Sequence, residues 1–249
     1  MALEVVVGDW IRTLRESLHE RSCVLIGVQG LQGSGKSTLC KTLERAIPGC
    51  VSLSLDDFYY PDSRIDREHN DPRLRGRGNP GTHDVQHLYA CLSRLHEGGG
   101  GEVHVPIYDK YMHAGRGDQT GRTRSIDVTS AHVVLLEGWC VGFRPHGRAG
   151  DLVDEHLQAY VPIFRLLDGL VVLEANLEWV YEWRGEAEPS HGMQNTVAFV
   201  DRFIPTYNEY LSRFYAEERP THERLHVRLD RRRSLCDYRV KRALRQSSE

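Results

Sequence analysis

The chain has 249 residues, 40% hydrophobic and 27% charged, with a formal net charge of -3. That length suits one α/β domain, and the charge balance excludes a general nucleic-acid binder, which carries a strong basic excess. No apolar run approaches the roughly 18 residues of a membrane span, the N-terminus lacks the pattern of a secretory signal or transit peptide, and the six cysteines show no C-x-x-C spacing, so a cytoplasmic protein with buried, reduced thiols is expected.

Val6, Trp10, Leu14 and Leu18 fall at helical spacing and predict an N-terminal helix over residues 1–20. "CVLIGV" reads as a buried strand, followed by glycines and then the helix "KSTLCKTLERA", which Pro48 ends. "VSLSL" (51–55) is a second strand. Residues 61–82, rich in Pro, Gly, Asp and Arg, read as a long irregular loop of the kind that carries function. "DVQHLYACLSRLHEG" predicts a helix ended by the Gly98–Gly101 run, and "VHVPIY" a strand. Residues 109–125 read as polar loop, "AHVVLLEGW" as a deeply buried strand, "DEHLQAYVPIFRLLDG" as partly helical and "LVVLEA" as a strand. Helices are expected at about 177–187 and 195–217. "LHVRLD" then closes the sheet, and the basic tail reads as helical. Strand and helix alternate throughout, which gives a mostly parallel sheet with helices on both faces. There is no internal repeat or low-complexity linker, so residues 1–249 are expected to form one domain.

Gly30–Ser37 matches G-x-x-x-x-G-K-[ST] at every fixed position, with a strand before it and a helix after it. Glycines let successive backbone N–H groups turn inward around an anion, and the helix N-terminus adds positive potential. Gly30, Leu31, Gln32, Gly33, Ser34, Gly35, Lys36, Ser37 and Thr38 are therefore expected to cradle a nucleotide triphosphate. Lys36 reaches the β/γ oxygens, and Ser37 offers its hydroxyl to magnesium. The second strand ends in "SLDDFYY", at the sheet edge where such folds bind ligands. Asp56 is the expected general base toward an attacking hydroxyl. Asp57 is expected to hold magnesium or to cap the following turn. "VVLLEGW" delivers Glu137 to another strand end as a further magnesium ligand.

Taken together, "GSGKST", "LDDFYY" and "LLEGW" resemble the P-loop kinases of small metabolites, the group of uridine kinase, pantothenate kinase and phosphoribulokinase. Within that group, "LRGRGNPGTHD" (74–84), "VPIYDK" (105–110), "GRGD" (115–118) and "LLEGWCVGFRP" (135–145) resemble D-glycerate 3-kinase of the plant type and its fungal and bacterial relatives. The resemblance implies a three-layer P-loop NTPase fold with a helical lid at 177–195, ATP and Mg2+ as cofactors, and D-glycerate as acceptor with 3-phosphoglycerate as product. It also implies a small-molecule partner rather than nucleic acid or membrane, and a monomer or small homo-oligomer.

A hydroxy acid needs a fixed cation for its carboxylate and polar partners for its hydroxyls. The polar loops offer Arg75, Arg77, His83, Asp84, Tyr108, Lys110, His113 and Arg116. The resemblance implies that Asp84 and Tyr108 contact the acceptor's hydroxyls and that Arg116 contacts its carboxylate. Each arginine equally suits a solvated loop, and His83 suits the start of a helix. In the lid, the resemblance implies that Arg184 acts on the transferring phosphate; it could instead pair with Glu188 one turn on. Trp179 and Trp183 read as packing residues, as does the stripe Phe199, Phe203, Tyr207, Tyr210 and Phe214. Two other readings stay open. One keeps the phosphate loop and changes the acceptor to a nucleoside, pantothenate or another sugar acid. The other is a nucleotide-dependent switch or assembly factor, against which stands the absence of an N-K-x-D guanine motif.

Overall fold

A computed structural model of the chain describes residues 1–147, 149–187, 192–217 and 222–243. It opens with α1 (Leu3–Ser17), β1 (Val24–Gly30), α2 (Lys36–Ala46) and β2 (Cys50–Ser54), then α3 (Val85–Glu97). Six further strands follow: β3 (Glu102–Asp109), β4 (Asp118–Asp127), β5 (Val133–Gly138), β6 (Gly169–Glu174), β7 (Glu223–Leu229) and β8 (Leu235–Lys241). Short helices at Leu152–Leu157 and Val161–Arg165 precede β6, and helices Trp179–Ala187, Gly192–Asp201 and Ile204–Ala216 follow it.

Six strands form one sheet in the order β2-β5-β1-β6-β7-β8, parallel except for β8. Its central strands are buried at nearly every position because both faces are covered, so they are mostly apolar, and successive side chains serve opposite faces. Val24, Ile26 and Val28 of β1 pack with Val6, Trp10 and Leu14 of α1 and Leu39 and Leu43 of α2. Leu25 of the same strand turns the other way, to join Leu88, Leu92 and Leu95 of α3 and the aromatic rings of Phe203, Tyr207, Tyr210 and Phe214. The fold is thus α/β, with helices on both faces of a mostly parallel sheet.

Three elements differ from the sequence expectation. Residues 109–125 are not all loop: β4 pairs antiparallel with β3 in a separate two-stranded ribbon. In "DQTGRTRSID" only Ile126 is buried, so no hydrophobic period announces the strand. Within the described part of the basic tail, Leu235–Lys241 is strand rather than helix, and β7 does not close the sheet. β8 lies outside it as an exposed edge strand, with Tyr238 and Val240 facing solvent. The single helix expected at 195–217 is two, broken near Arg202–Phe203, where Pro205 opens the second; proline has no N–H to lose at a helix start. Five cysteines are buried and Cys236, on β8, is exposed. Among the described residues no helix is long and apolar enough to cross a membrane.

Candidate active site

The sheet order explains the site. β5 lies between β2 and β1, with Glu137 in register with Ser54 on one side and Val28 on the other. The carboxyl ends of three neighbouring strands therefore bring together the glycine loop after β1, the Asp56 turn after β2 and Glu137 itself. Gly33 and Gly35 take left-handed backbone angles (φ +78° and +90°) in that loop. At Gly33 a side chain is also sterically barred, since a Cβ would stand 2.5 Å from Cβ of Trp183.

Lys36 is 8% exposed, and its Nζ donates to the carbonyl of Leu31 at 2.9 Å. Burial lowers its pKa, against the opposing pull of Glu137 and Asp56. One oxygen of Glu137 accepts from Ser37 Oγ at 2.7 Å and from Ser54 Oγ at 3.0 Å. Asp56 accepts from Tyr59 OH at 2.8 Å and from Lys110 Nζ at 2.6 Å. Burial would raise the Asp56 carboxyl, but the Lys110 ammonium outweighs it and holds the group well below the usual carboxylate range. In return, Asp56 raises the pKa of Lys110.

These groups line one cleft of about 110 Å³. Four cations, Lys36, Arg77, Lys110 and Arg184, face two carboxylates, Asp56 and Glu137. Gln32, Gly33 and Ser37 supply the phosphate-loop wall, and Tyr59, Trp139 and Phe199 the aromatic one. An excess of fixed positive charge in a confined cleft suits a polyphosphate together with a second anion. Arg184 lies over the Phe199 ring at 4.9 Å. Glu188 and Pro189 lie outside the described residues.

Of the acceptor candidates, Arg77 and Lys110 line this cleft and the others do not. Arg77 is buried and donates through Nη1 to the carbonyls of Gly115 and Arg116. Tyr108 is buried beside it, its hydroxyl 3.4 Å from the Arg116 carbonyl. Arg75 is exposed and donates to the carbonyl of His69. Asp84 caps α3, accepting from the His87 N–H. His113 meets Asp118, and Arg116 meets Asp62, both on the surface of the ribbon's loop. His83 stacks on the far side of Tyr59, outside the cleft.

Asp57 also lies outside the cleft, and burial and then the charge of Asp56 raise its carboxyl to about 6. Its ionised form therefore costs the folded state. The cost grows as pH rises from the unfolded value of about 4 and is complete above the folded value. Asp57→Asn is expected to stabilise the protein by about 1–3 kcal/mol at neutral pH and by almost nothing near pH 4. Thermal melts at the two pH values check this, and equal shifts at both would contradict it.

Four residues that the sequence did not single out support the site. Tyr59 orients Asp56 from three residues away, on the same helical turn. Ser54 joins Glu137 to the Asp56 backbone N–H. Trp139 donates to the Gly78 carbonyl at 2.9 Å, tying the "RGRGNP" loop to the end of β5. Arg233, in the β7–β8 turn, donates to the Gly33 carbonyl at 2.7 Å, pairs with Glu186 and lies over Trp183. This turn clasps helix Trp179–Ala187 to the phosphate loop.

No protein-family model matches the chain. The kinase mug58 of Schizosaccharomyces pombe is 33% identical over 248 residues, covering 84% of this chain and 89% of that protein. The probable ATP-dependent kinase TDA10 of Saccharomyces cerevisiae is 30% identical over 257 residues, covering 87% and 86%. The chloroplastic D-glycerate 3-kinase of Arabidopsis thaliana is 31% identical over 224 residues, 78% of this chain and 49% of that enzyme, so this chain spans about half the plant protein's length. Among solved structures, the YGR205w protein superposes with a TM-score of 0.82 at 24% identity, covering 98% of this chain and 100% of that one. D-glycerate 3-kinase from Cryptococcus neoformans superposes with a TM-score of 0.80 at 23% identity, covering 96% and 99%. The structural likenesses establish the fold.

Proposed function

This chain belongs to the ATP-dependent P-loop kinase family of mug58 and TDA10, and from that premise we propose that it transfers the γ-phosphoryl group of ATP to a hydroxyl of D-glycerate, giving 3-phosphoglycerate. The observation that carries this reading is the convergence of Lys36, Ser37, Asp56 and Glu137 on one cleft rimmed by Arg77, Lys110 and Arg184. The plant relative's name supports glycerate as the acceptor.

The loop amides hold the β- and γ-phosphates, and Lys36 exchanges the Leu31 carbonyl for phosphate oxygens. Ser37 and Glu137 present adjacent hard oxygen donors, which fit magnesium. When bound, the metal neutralises charge on the β- and γ-oxygens. Arg77 grips the acceptor's carboxylate. Asp56, held by Tyr59 and Lys110, accepts the hydroxyl proton as that oxygen bonds to the γ-phosphorus and the bond to the β–γ bridging oxygen breaks, releasing ADP. Arg184 balances the charge of the group in flight. Little covalent help is needed, because phosphoryl transfer depends on positioning and electrostatics. We further read the whole chain as one kinase domain.

A coupled ADP-release assay across D-glycerate, sugar acids, pantothenate and nucleosides tests the proposal. D-glycerate should drive release, with 3-phosphoglycerate as the product. ADP release that needs no acceptor, or that answers only to a nucleoside, would overturn it.

The Arg233 clasp gives a separate kinetic expectation. One hydrogen bond and one part-exposed ion pair together contribute about 1–1.5 kcal/mol. Arg233→Ala should therefore raise KM for ATP by up to about tenfold with kcat little changed. Steady-state kinetics with ATP varied will show this, and an unchanged KM would deny the turn a role in holding the loop.

A further inference from the structure

The loop from Arg75 to Asn79 is a seat for the break between helices Gly192–Asp201 and Ile204–Ala216. A Cβ on Gly76 would collide with Nη1 of Arg202, and one on Gly78 with the ring of Phe203. Asn79 donates through Nδ2 to the carbonyl of Arg202 at 3.3 Å and accepts at Oδ1 from Thr206 Oγ1 at 3.0 Å. The two glycines are thus the places where Arg202 and Phe203 lie against the loop.

This seat brings three guanidiniums round one ring. Phe199 stands on the cleft wall, and from its centroid the guanidinium carbon of Arg184 is 4.9 Å away, that of Arg202 5.2 Å and that of Arg77 5.8 Å. Arg77 is buried and Arg202 half-buried. Nη1 of Arg77 donates to the carbonyls of Gly115 and Arg116, and Nη2 of Arg202 donates to the carbonyl of Arg77 at 3.5 Å. Among the described residues neither guanidinium has a carboxylate within ion-pair distance. Of the cleft's two acids, Asp56 is bonded to Lys110, and Glu137 to Ser37 and Ser54.

Burial, and then the charge of Arg77, lowers the pKa of Arg202. An aromatic face attracts cations but does not neutralise them, and a charge withdrawn from water without an opposite partner is costly. The excess of positive charge at this wall is offset when an anion arrives beside it.

We propose that Arg202 is a specificity-determining residue: seated behind Arg77 and Phe199, it adds a second fixed charge that makes the cleft select acceptors bearing a carboxylate over neutral alcohols. This rests on reading the Arg77 wall as the acceptor's side of the cleft. Arg202 does not line the cleft, so it acts through the field at Arg77 rather than by touching the acceptor. A unit charge in a poorly solvated wall is felt over such distances.

Arg202→Met removes the charge and keeps an unbranched side chain, whereas Arg202→Lys keeps the charge. ADP release at saturating ATP is followed against D-glycerate. Arg202→Met is expected to raise KM for D-glycerate at least about tenfold, with kcat within about threefold of wild type and KM for ATP unchanged. Arg202→Lys should recover most of the loss. The uncharged amide of glyceric acid, measured as a competitive inhibitor, should bind wild type and Arg202→Met equally. Lost packing alone would weaken acid and amide together, and lysine would not restore it. If D-glycerate is turned over but Arg202→Met leaves its KM within about twofold, or weakens acid and amide alike, the role of Arg202 is overturned while glycerate stands as acceptor. If another small acid proves to be the acceptor and its KM rises in Arg202→Met, glycerate is overturned while the role of Arg202 stands. A neutral acceptor preferred to every acid, or no response to any acid, overturns both.

Discussion

Asp56→Asn is expected to bind ATP with nearly native affinity and to lose about a thousandfold or more in kcat. Asparagine keeps the side chain's shape and can still accept from Tyr59, but it takes no proton from an attacking hydroxyl. The wild-type carboxylate meets Lys110 at 2.6 Å and lies far below the ordinary carboxylate range. It therefore stays ionised under all working conditions, which a weak but permanent proton acceptor requires when transfer is loose and the proton leaves late. Removing it leaves Lys110 beside Lys36 and Arg184 without its acidic partner, a charge that bound triphosphate can offset, so KM for ATP should not rise. Nucleotide titration and steady-state turnover on the same preparation separate the two effects. A kcat within about tenfold of wild type would remove Asp56 from the chemistry. The pH profile gives an independent reading. With Asp56 as base, kcat/KM for the acceptor should stay level from about pH 8 to about pH 5. An acid limb at about 6 that disappears in Asp57→Asn would transfer the role to the neighbouring carboxyl, which burial holds at that value.

The phosphate-loop half of the candidate site was legible because its residue types are forced by backbone geometry. Gly33 has both a left-handed angle and Trp183 against it, and α2 runs from Lys36 to Ala46 just as "KSTLCKTLERA" suggests. The buried strands β1, β5 and β6 were readable for a related reason, since burial on both faces leaves mostly apolar choices, with the polar residues near the strand ends. The proposed acceptor half depends on tertiary placement that local pattern does not encode. Lys110 reaches Asp56 because the β3–β4 ribbon is tied to the Asp56 segment by Gln119, which donates to the carbonyls of Asp57 and Tyr59. The ribbon's second strand has one buried side chain and so left no periodic trace. Arg75, Arg116 and His113 looked no different from Arg77 in sequence, yet only Arg77 is buried against the cleft. Asp84 and His83 are adjacent in sequence, but Asp84 caps α3 while His83 packs on Tyr59 and meets the Tyr160 hydroxyl. Arg233 was hidden for another reason. The strand that follows it, β8, is exposed along nearly its whole length, and a turn leading into an exposed edge strand in a basic tail looks like any solvated segment.

Lys36→Ala is expected to lower kcat/KM for ATP by about a thousandfold without destabilising the protein. The two halves of this expectation have one cause. Lys36 is a nearly buried ammonium whose protonated form burial disfavours, and one carbonyl, that of Leu31, receives its proton in the absence of nucleotide. A charge held in this way is a cost to the fold that phosphate oxygens repay only when they arrive. Deleting the side chain relieves that cost, so the melting temperature without nucleotide should stay level or rise. The upward shift on adding magnesium and ATP should shrink sharply, because ligand stabilisation grows with the logarithm of ligand concentration relative to Kd, and the variant's Kd is raised. Lys36→Arg should rescue little. A Cβ placed on Gly30 would stand 3.3 Å from Cγ of Lys36, so the loop closes tightly on this side chain and has little room for a planar guanidinium. Thermal melts with and without nucleotide, beside steady-state kinetics, decide the matter. If Lys36→Ala retains both the full nucleotide-induced shift and a kcat/KM within about tenfold of wild type, the loop does not hold the triphosphate through this lysine.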